Sequence, residues 1–522
     1  SRFKLLRCSL LRRLHSGQMS LLTFFLNAGI MVTAASADAW YARQLRGTFS
    51  WSHISSLLGD YMNPDAQIAI NHGDFIGLLN VLCQQYAGEP CWDQRRLQDL
   101  PTSAQVMSSE NLLAQYPNNR DNIKHKDELQ SWLASQTWRS FTSTIGRPGS
   151  RSTQDVNINY VTIRSANPRP SQAVIVSVGQ GEPVAKYDEF LRDLVEQGYS
   201  PIYAIEHRAQ GTSDRLLDDH FRSHVESSED FVDDFKQFVD LAIKEIGSET
   251  PTFLACHSMG CAIAFTHLLN EYKAQRPTVF SAVVANAPLI RADTDPFPYR
   301  VATALGEVMV AFGIGERYAP TKEISFEEAY GNAAFADSST SSLERWLRHR
   351  DRCVSHRDIK LGADEHTGLC LGGVTGHFAK EFFDLFDALE EFNDSLGKIS
   401  TPTLIQMAGS PSGSDGAVFN PETTTFCEKS LKECSITQYS DSKHNIWWES
   451  DVVRQPALTE VHDFLQKHSG EKVAQCPLPA SCGEWDYSWF TWGCKNPSQC
   501  SRQFQFGDYS LGQMCRPSGP AC

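Results

Sequence analysis

The sequence predicts an α/β protein in which a mostly parallel sheet carries helices on both faces. From about residue 155 onward, short apolar runs alternate with amphipathic segments, and this alternation is typical of strand–helix–strand units. The rhythm breaks between Pro288 and about Ser400, which predicts a helical segment, about 289–399, inserted into the sheet domain. A dense group of cysteines in residues 475–522 indicates a separate small module.

The individual elements follow from hydrophobic periodicity. Glu229 to Ile246 is the strongest predicted helix, because its apolar residues recur at helical spacing. The predicted strands are Val156 to Arg164, Gln172 to Val178, Pro201 to Glu206, the run leading into Ser258, Ala282 to Asn286, Pro402 to Ala408 and Ile436 to Tyr439. The other predicted helices are Lys126 to Trp138, Tyr187 to Gln197, Phe378 to Phe392 and Ala457 to Lys467.

Composition sets broad limits on function. The 522 residues can bury a large core and hold more than one module. Hydrophobic content of 41% and charged content of 21% are ordinary for a globular protein. The net charge of −15 argues against a nucleic-acid partner, because phosphate contacts need a basic face. Small-molecule chemistry stays open.

The first part of the chain has the pattern of a targeting segment. Residues 1–37 predict a signal peptide, with basic residues first, an apolar core from Leu21 to Val32 and a small-residue cleavage site at Ala35-Ser36-Ala37. The alternatives are an N-terminal membrane anchor, for which the apolar core is short, and a start at Met19. Residues 38–150 form an N-terminal extension without a catalytic pattern. The predicted localisation is secreted or within the secretory pathway.

The candidate nucleophile is Ser258. The apolar run before it and the small-residue helical run after it give the strand–turn–helix setting of a nucleophile elbow. Gly260 supplies the small residue that the sharp turn needs after the serine. Cys256 and Cys261 stand where glycines are usual, and we expect both to be buried, unpaired thiols.

An acyl-transfer serine needs a base, and the base needs an orienting acid. Asp415 follows the strand that ends near Ala408, and His444 follows the last predicted strand, so both fall at carboxyl ends of strands. Asp441 is the competing acid. His257, adjacent to the serine, is expected to pack under the elbow rather than act as base.

The oxyanion of the reaction needs backbone N–H donors. Met259, the residue after the nucleophile, is expected to supply one donor. Gln180 is expected to supply the other, because the flanking Gly179 and Gly181 let the backbone approach closely. The same loop is a weak phosphate cradle, since it lacks a Lys-Ser/Thr ending.

Five stretches, in order, make residues from about 155 to 467 resemble a family of α/β serine hydrolases. The stretches are Gly179-Gln180-Gly181-Glu182 with Lys186-Tyr187, Glu206-His207-Arg208-Ala209-Gln210-Gly211-Thr212-Ser213, Cys256-His257-Ser258-Met259-Gly260, Leu371-Gly372-Gly373-Val374-Thr375, and Lys443-His444-Asn445-Ile446. The family includes bacterial lysophospholipases and monoacylglycerol lipases. The resemblance implies an α/β-hydrolase domain at 151–470, an inserted cap at about 289–399 and hydrolysis of single-chain lipid esters. The cap is also a candidate for contact with a membrane surface. It departs from the pattern at Cys256, Cys261 and Ala209.

The last stretch, 475–522, predicts a disulfide-rich module. Its cysteines are Cys476, Cys482, Cys494, Cys500, Cys515 and Cys522. Three bridges can hold together a unit too small for its own core, although the pairing stays open. A zinc module is the alternative. The stretch Trp489 to Cys494 is similar to a thrombospondin repeat, which implies contact with matrix or glycan. Elsewhere, Cys83/Cys91, Cys353/Cys370 and Cys427/Cys434 are candidate pairs.

The sequence therefore predicts a serine esterase or lipase that acts through an acyl-enzyme on Ser258, with no metal and no cofactor. Two alternatives stay open. One is a proline-directed aminopeptidase-like hydrolase, because related sheets carry that activity. The other is a non-catalytic binding protein that kept the fold, against which the complete order of Ser258, Asp415 and His444 argues.

Overall fold

A computed structural model describes most of the predicted sheet domain. The described residues are 81, 84–85, 108–115, 121–143, 155–165, 172–320, 329–331, 334–355, 369–395 and 398–469, with the backbone of 500–506 and 509–515. The predicted signal peptide, most of the N-terminal extension and the Cys83/Cys91 pair lie outside these residues. In the predicted C-terminal module, Cys500–Phe506 and Tyr509–Cys515 pair as an antiparallel hairpin.

Eight strands form one sheet in the order β1-β2-β4-β3-β5-β6-β7-β8. They are β1 Thr137–Ser143, β2 Val156–Ile163, β3 Ala173–Ser177, β4 Ile202–Ile205, β5 Thr252–His257, β6 Ala282–Asn286, β7 Thr403–Ala408 and β8 Cys434–Tyr439. Strand β2 is antiparallel to β1 and β4, and the other neighbours are parallel. The predicted mostly parallel α/β fold is confirmed.

The described helices alternate with the strands or lie in the insertion. They are α1 Ser109–Gln115, α2 Leu129–Ala134, α3 Asp188–Glu196, α4 Ser228–Ile246, α5 Met259–Lys273, α6 Tyr299–Ala311, α7 Leu343–Ser355, α8 Gly376–Ser395, α9 Asn420–Ser430 and α10 Asp451–Lys467. Short 3₁₀ turns occupy Val184–Tyr187 and Ile446–Trp448. None of the helices in the described residues is both long enough and apolar enough to cross a bilayer.

The sheet begins earlier than the sequence predicts. The expected helix from Lys126 to Trp138 is wrong in its last part, because α2 ends at Ala134 and the backbone is extended from Thr137. Strand β1 pairs with β2 before residue 151, so the sheet includes part of the predicted N-terminal extension. It is an edge strand with mostly exposed polar side chains, and such a strand lacks the apolar alternation that identifies buried strands.

Two hydrophobic clusters cover the two faces of the sheet. In β3, Ile175 packs on the face that carries α4, α5, α8 and α9, whereas Val174 and Val176 pack on the face that carries α3 and α10. This alternation is the period-2 pattern of a strand buried on both sides. The parallel strands therefore end together at one edge of a well-packed core.

Three cysteine pairs are joined by disulfides in the described residues. Cys353–Cys370 and Cys427–Cys434 are bonded as predicted. The expectation of free thiols at Cys256 and Cys261 is wrong, because the two sulfurs are bonded to each other across the turn between β5 and α5. The turn reverses the chain direction and brings their Cα atoms to 4.9 Å.

Candidate active site

Ser258 lies in the sharp turn between β5 and α5. Its φ is 50° and its ψ is −119°, a conformation that L-residues rarely adopt. The strain is held by the surroundings, since the Ser258 N–H donates to the Asn286 carbonyl at 3.1 Å. Gly260 is required, because a Cβ there would lie 2.4 Å from the Ser177 carbonyl oxygen. Helix α5 can approach β3 closely only with glycine at this position.

Ser258, His444 and Asp415 form a continuous chain of hydrogen bonds. His444 Nε2 lies 2.8 Å from Ser258 Oγ, and His444 Nδ1 lies 2.8 Å from Asp415 Oδ2. The other carboxylate oxygen of Asp415 accepts from the N–H groups of Ala417 at 2.9 Å and Val418 at 2.8 Å. The structure thus brings together the three residues that the sequence selected from separate strand ends.

Asp415 and His444 each stabilise the charged form of the other. Burial acts to raise the pKa of Asp415, but the attraction of His444 and the hydrogen bonds to Asp415 hold that pKa below its usual range. Burial acts to lower the pKa of His444, yet Asp415 raises it above its usual value. Asp441, the competing acid, is exposed. Asp415 is the carboxylate that contacts the imidazole.

The two predicted oxyanion donors lie close to the serine. Met259 is the first residue of α5, and Gln180 lines the same cavity as Ser258. Within the described residues, neither backbone N–H group donates a hydrogen bond to another protein group. Gly179 has no room for a side chain, since a Cβ would lie 2.5 Å from the Glu182 carboxylate. Glycine at this position therefore leaves room for the Glu182 carboxylate beside the loop.

Glu182, Lys186, Tyr187 and His257 form a buried polar cluster near the His444 imidazole, and the sequence predicted no role for this cluster. Glu182 accepts hydrogen bonds from Lys186 and Tyr187, and it lies 3.7 Å from His257 Nε2. Burial acts to raise the Glu182 pKa, but the charge of Lys186 and the hydrogen bonds from Lys186 and Tyr187 hold it far below its usual range. Burial lowers the pKa of His257 to about 3, so this residue is neutral. The family-like stretch from Gly179 to Tyr187 was the signal for this cluster.

The position of His257 agrees with the expectation that it packs under the elbow. It is fully buried, and its Nδ1 lies 3.1 Å from the Asn286 carbonyl oxygen. Its ring lies 4.9 Å from the His444 ring. Ser258 Oγ is hydrogen-bonded to His444 and not to His257. Ala209 is another departure from the family pattern, and its φ of 59° lies in a region that glycine adopts more readily than alanine.

Ser258 and His444 open into a cavity of about 510 Å³. One side, the aromatic wall, comes from the inserted segment and consists of Leu305, Phe378, Phe382, Phe383 and Phe386. Another part of the lining, the ion-paired wall, consists of Trp346 and His349 of α7 with Lys186 and Trp448. Volumes of 300–1,000 Å³ are usual for small-molecule sites. The cavity that contains Ser258 is therefore lined largely by apolar side chains.

The described residues include one group of three side chains with metal-ligating atoms in close proximity. His349, Cys353 and Cys370 have ligating atoms within 4.8 Å of one another. The two sulfurs are joined to each other in the Cys353–Cys370 disulfide, so they offer no thiolate. This donor set does not fit a zinc ion.

The comparisons with known proteins match the same part of the chain. The family model described as "Serine aminopeptidase, S33" matches residues 168–451, more than half of the chain. Lysophospholipase L2 of Escherichia coli K12 is 26% identical over 332 residues, which cover 60% of this chain and 86% of the relative. Monoglyceride lipase of Mus musculus is 33% identical over 313 residues, 59% of this chain and 86% of the relative.

Among solved structures, a soluble variant of monoglyceride lipase from Saccharomyces cerevisiae aligns with a TM-score of 0.48 and 15% identity, covering 65% of this chain and 98% of that one. The family match covers the strands that precede Ser258, Asp415 and His444 and the three residues themselves. The chain therefore belongs to the serine aminopeptidase S33 family of α/β-hydrolases and is an ester hydrolase similar to the lysophospholipases and monoglyceride lipases.

Proposed function

We propose that this enzyme hydrolyses carboxylic esters of single-chain lipids through an acyl-enzyme on Ser258. The observation that carries the proposal is the hydrogen-bonded chain from Ser258 through His444 to Asp415, which opens into an apolar cavity. A serine in this arrangement can lose its proton as it attacks a carbonyl carbon.

In the first half of the reaction, His444 Nε2 takes the proton of Ser258 Oγ while the oxygen bonds to the ester carbonyl carbon. The N–H groups of Met259 and Gln180 donate to the carbonyl oxygen as it becomes negative. His444 then gives its proton to the departing alcohol oxygen, and the carbon–oxygen ester bond breaks. Asp415 keeps the imidazole in the required orientation and stabilises its protonated form.

In the second half, water replaces the alcohol. His444 takes a proton from the water, whose oxygen attacks the acyl carbon, and then returns that proton to Ser258 as the fatty acid leaves. The apolar side chains of the aromatic wall favour a lipid substrate. An acyl chain that binds against them would gain about 25 cal/mol for each Å² of apolar surface removed from water.

The test is active-site labelling with a fluorophosphonate probe. We expect the wild-type enzyme to be labelled at Ser258 and the Ser258→Ala variant to lose both labelling and ester hydrolysis. A folded wild-type enzyme that neither reacts with the probe nor cleaves esters would refute the proposal. A panel of monoacylglycerols, lysophospholipids, short esters and aminoacyl amides decides the substrate class, and cleavage of the amides alone would establish the aminopeptidase alternative.

We also propose that the enzyme matures in an oxidising compartment, as a secreted protein or within the secretory pathway. Three disulfides among the described residues support this, because such bonds are rare in reducing compartments. Contact of the cap with a membrane surface, and of the C-terminal module with matrix or glycan, stay predictions from the sequence.

A further inference from the structure

A disulfide encloses the candidate nucleophile. Cys256 is the penultimate residue of β5 and Cys261 is the third residue of α5, and both are fully buried. Their bond closes a ring with a sequence separation of only 5. The ring contains His257, Ser258, Met259 and Gly260. The attacking oxygen and one proposed oxyanion donor therefore belong to residues of one covalent ring.

The ring encloses a residue with a strained backbone. Ser258 has a φ of 50°, and a backbone in such a region persists only where the surrounding structure holds it. Two backbone hydrogen bonds join the serine to the end of β6 and the loop after it, one from its own N–H to Asn286 and one from the Leu289 N–H to its carbonyl oxygen, each 3.1 Å long. The disulfide adds a covalent connection between the strand and helix that meet at this residue.

The sulfur atoms are separated from the substrate cavity. Ser258 and His257 are among the residues that line the cavity, whereas Cys256 and Cys261 are not. Both cysteines instead belong to the hydrophobic cluster on the α4 and α5 face of the sheet. The bond can therefore act on the geometry of Ser258 and Met259 without contacting a bound ester.

We propose that Cys256 and Cys261 are positioning residues whose disulfide holds Ser258 Oγ and the Met259 N–H in the geometry needed for acyl transfer. The inference rests on the proposed function, because it assigns the pair a role in that reaction. To form the bond, the two thiols lose two protons and two electrons to a disulfide oxidant of the oxidising compartment, which becomes a dithiol.

The test compares two variants that each lack one disulfide. The first is Cys256→Ala/Cys261→Ala. The matched control is Cys427→Ala/Cys434→Ala, which removes a bond of similar sequence separation, 7, between α9 and β8. Before the comparison, mass spectrometry of alkylated wild-type peptides must show the Cys256–Cys261 bond. The readouts are kcat and KM for an ester, the rate of fluorophosphonate labelling, and the melting temperature.

We expect the elbow variant to lose about 10- to 100-fold in kcat, because a displacement of about 1 Å in a reacting group has effects of this size. KM should change little, since the cavity walls are intact. The control variant should melt at a lower temperature but keep kcat. Equal kcat in the two variants, or free thiols at both positions in the native enzyme, would overturn the inference.

The design keeps this inference separate from the proposed function. If the wild type is not labelled at all, the proposed function fails. If the wild type and the elbow variant are labelled equally fast, only the positioning role fails. Should the alanine variant not fold, Cys256→Gly/Cys261→Gly replaces it. Stepwise reduction of the native wild type then gives a further measurement, and activity retained after cleavage of the Cys256–Cys261 bond overturns the inference.

Discussion

The two walls of the cavity are held to the sheet domain by different interactions, although helices from one inserted segment contribute to both. In the aromatic wall, Phe382 stacks on Phe378 with ring centroids 4.4 Å apart and meets Phe231 of α4 edge-on at 5.8 Å. For the ion-paired wall, the guanidinium of Arg345, which lies on α7 beside Trp346, donates two 2.8 Å hydrogen bonds to Glu189 and one of 2.7 Å to Asp451.

The difference matters because the two kinds of contact respond differently to change. Apolar burial is non-directional and roughly proportional to area, so the aromatic wall can be reshaped at a graded cost. A buried ion pair depends on both partners, and removing one leaves an uncompensated buried charge. We therefore expect substrate preference to be set by the aromatic wall and the position of α7 to depend on the ion pairs.

The largest expected effect comes from breaking the ion-paired wall. Arg345→Met leaves the carboxylates of Glu189 and Asp451 without their shared guanidinium, and Arg345 itself is fully buried. We expect a loss of about 3 kcal/mol in the free energy of unfolding, because Asp451 loses its guanidinium partner whereas Glu189 keeps an ion pair with Arg454 at 3.2 Å. Urea unfolding followed by tryptophan fluorescence measures it, since Trp346 and Trp448 lie on this wall.

The control for that change is an ion pair at the surface. Arg276 contacts Glu271 at 2.6 Å, but its side chain is 50% exposed. Arg276→Met should therefore cost no more than about 1 kcal/mol. If the two methionine variants unfold at the same urea concentration, the buried pairs do not hold α7, and the contrast between the walls is refuted.

A smaller change in stability, with a specific change in activity, is expected in the aromatic wall. Phe382→Leu keeps an apolar side chain and removes the ring contacts, so the free energy of unfolding should fall by roughly 1–2 kcal/mol. Because Phe382 lines the cavity, kcat/KM for long-chain esters should change more than kcat/KM for short-chain esters. Hydrolysis rates for a series of acyl lengths measure this difference.

Phe392→Leu is the matched control on the same helix. Phe392 is as buried as Phe382 and meets Tyr272 edge-on at 5.5 Å, but it does not line the cavity. We expect a comparable loss of stability with an unchanged dependence on acyl length. A similar shift in both variants would mean that α8 affects activity only through stability.

Much of the site could be predicted from the sequence because the fold places chemistry at strand ends. Ser258 and Asp415 each follow a buried strand, His444 follows the partly exposed edge strand β8, and parallel strands end at one edge of the sheet. Their order along the chain was therefore enough to predict that they meet. Gln180 likewise follows a strand, β3, and its position near the serine could be predicted for the same reason.

The interactions that hold α7 could not be predicted, because their partners are distant in sequence. The stretch from Leu343 to Ser355 is rich in arginine and has the composition of a solvent-exposed helix. Arg345 is nevertheless buried against Glu189, 156 residues away, and Asp451, 106 residues away. Pairing of this kind depends on tertiary contacts and has no local periodicity.

The Cys256–Cys261 bond was missed for a related reason. Five residues of extended chain span about 17 Å, which is far beyond disulfide reach. The two Cα atoms come within 4.9 Å only because the turn at Ser258 folds the first turn of α5 back onto β5. The sequence placed Cys256 in a strand and Cys261 in the helix that follows, and the geometry of the elbow reversed the expectation of free thiols.

The pH dependence of stability gives the finest distinction between the walls. Burial acts to raise the pKa values of Glu189 and Asp451, but their hydrogen bonds to Arg345 and nearby arginine charges hold both below the usual range. Carboxylates with lowered pKa values stabilise the fold above their unfolded-state pKa, and this contribution is lost as the pH falls through the folded-state pKa.

The loss of unfolding free energy caused by Arg345→Met should therefore be largest at about pH 7 and should become smaller as the pH falls below about 4. The decrease is about 1.4 kcal/mol for each unit by which Arg345 lowers a carboxyl pKa. The penalty of Phe382→Leu should stay constant, because that substitution removes contacts between apolar rings. Urea unfolding of the wild type and both variants across this pH range measures the two penalties. If the losses of unfolding free energy in both variants decrease equally as the pH falls, the pH dependence comes from the whole protein rather than from the ion pairs of Arg345.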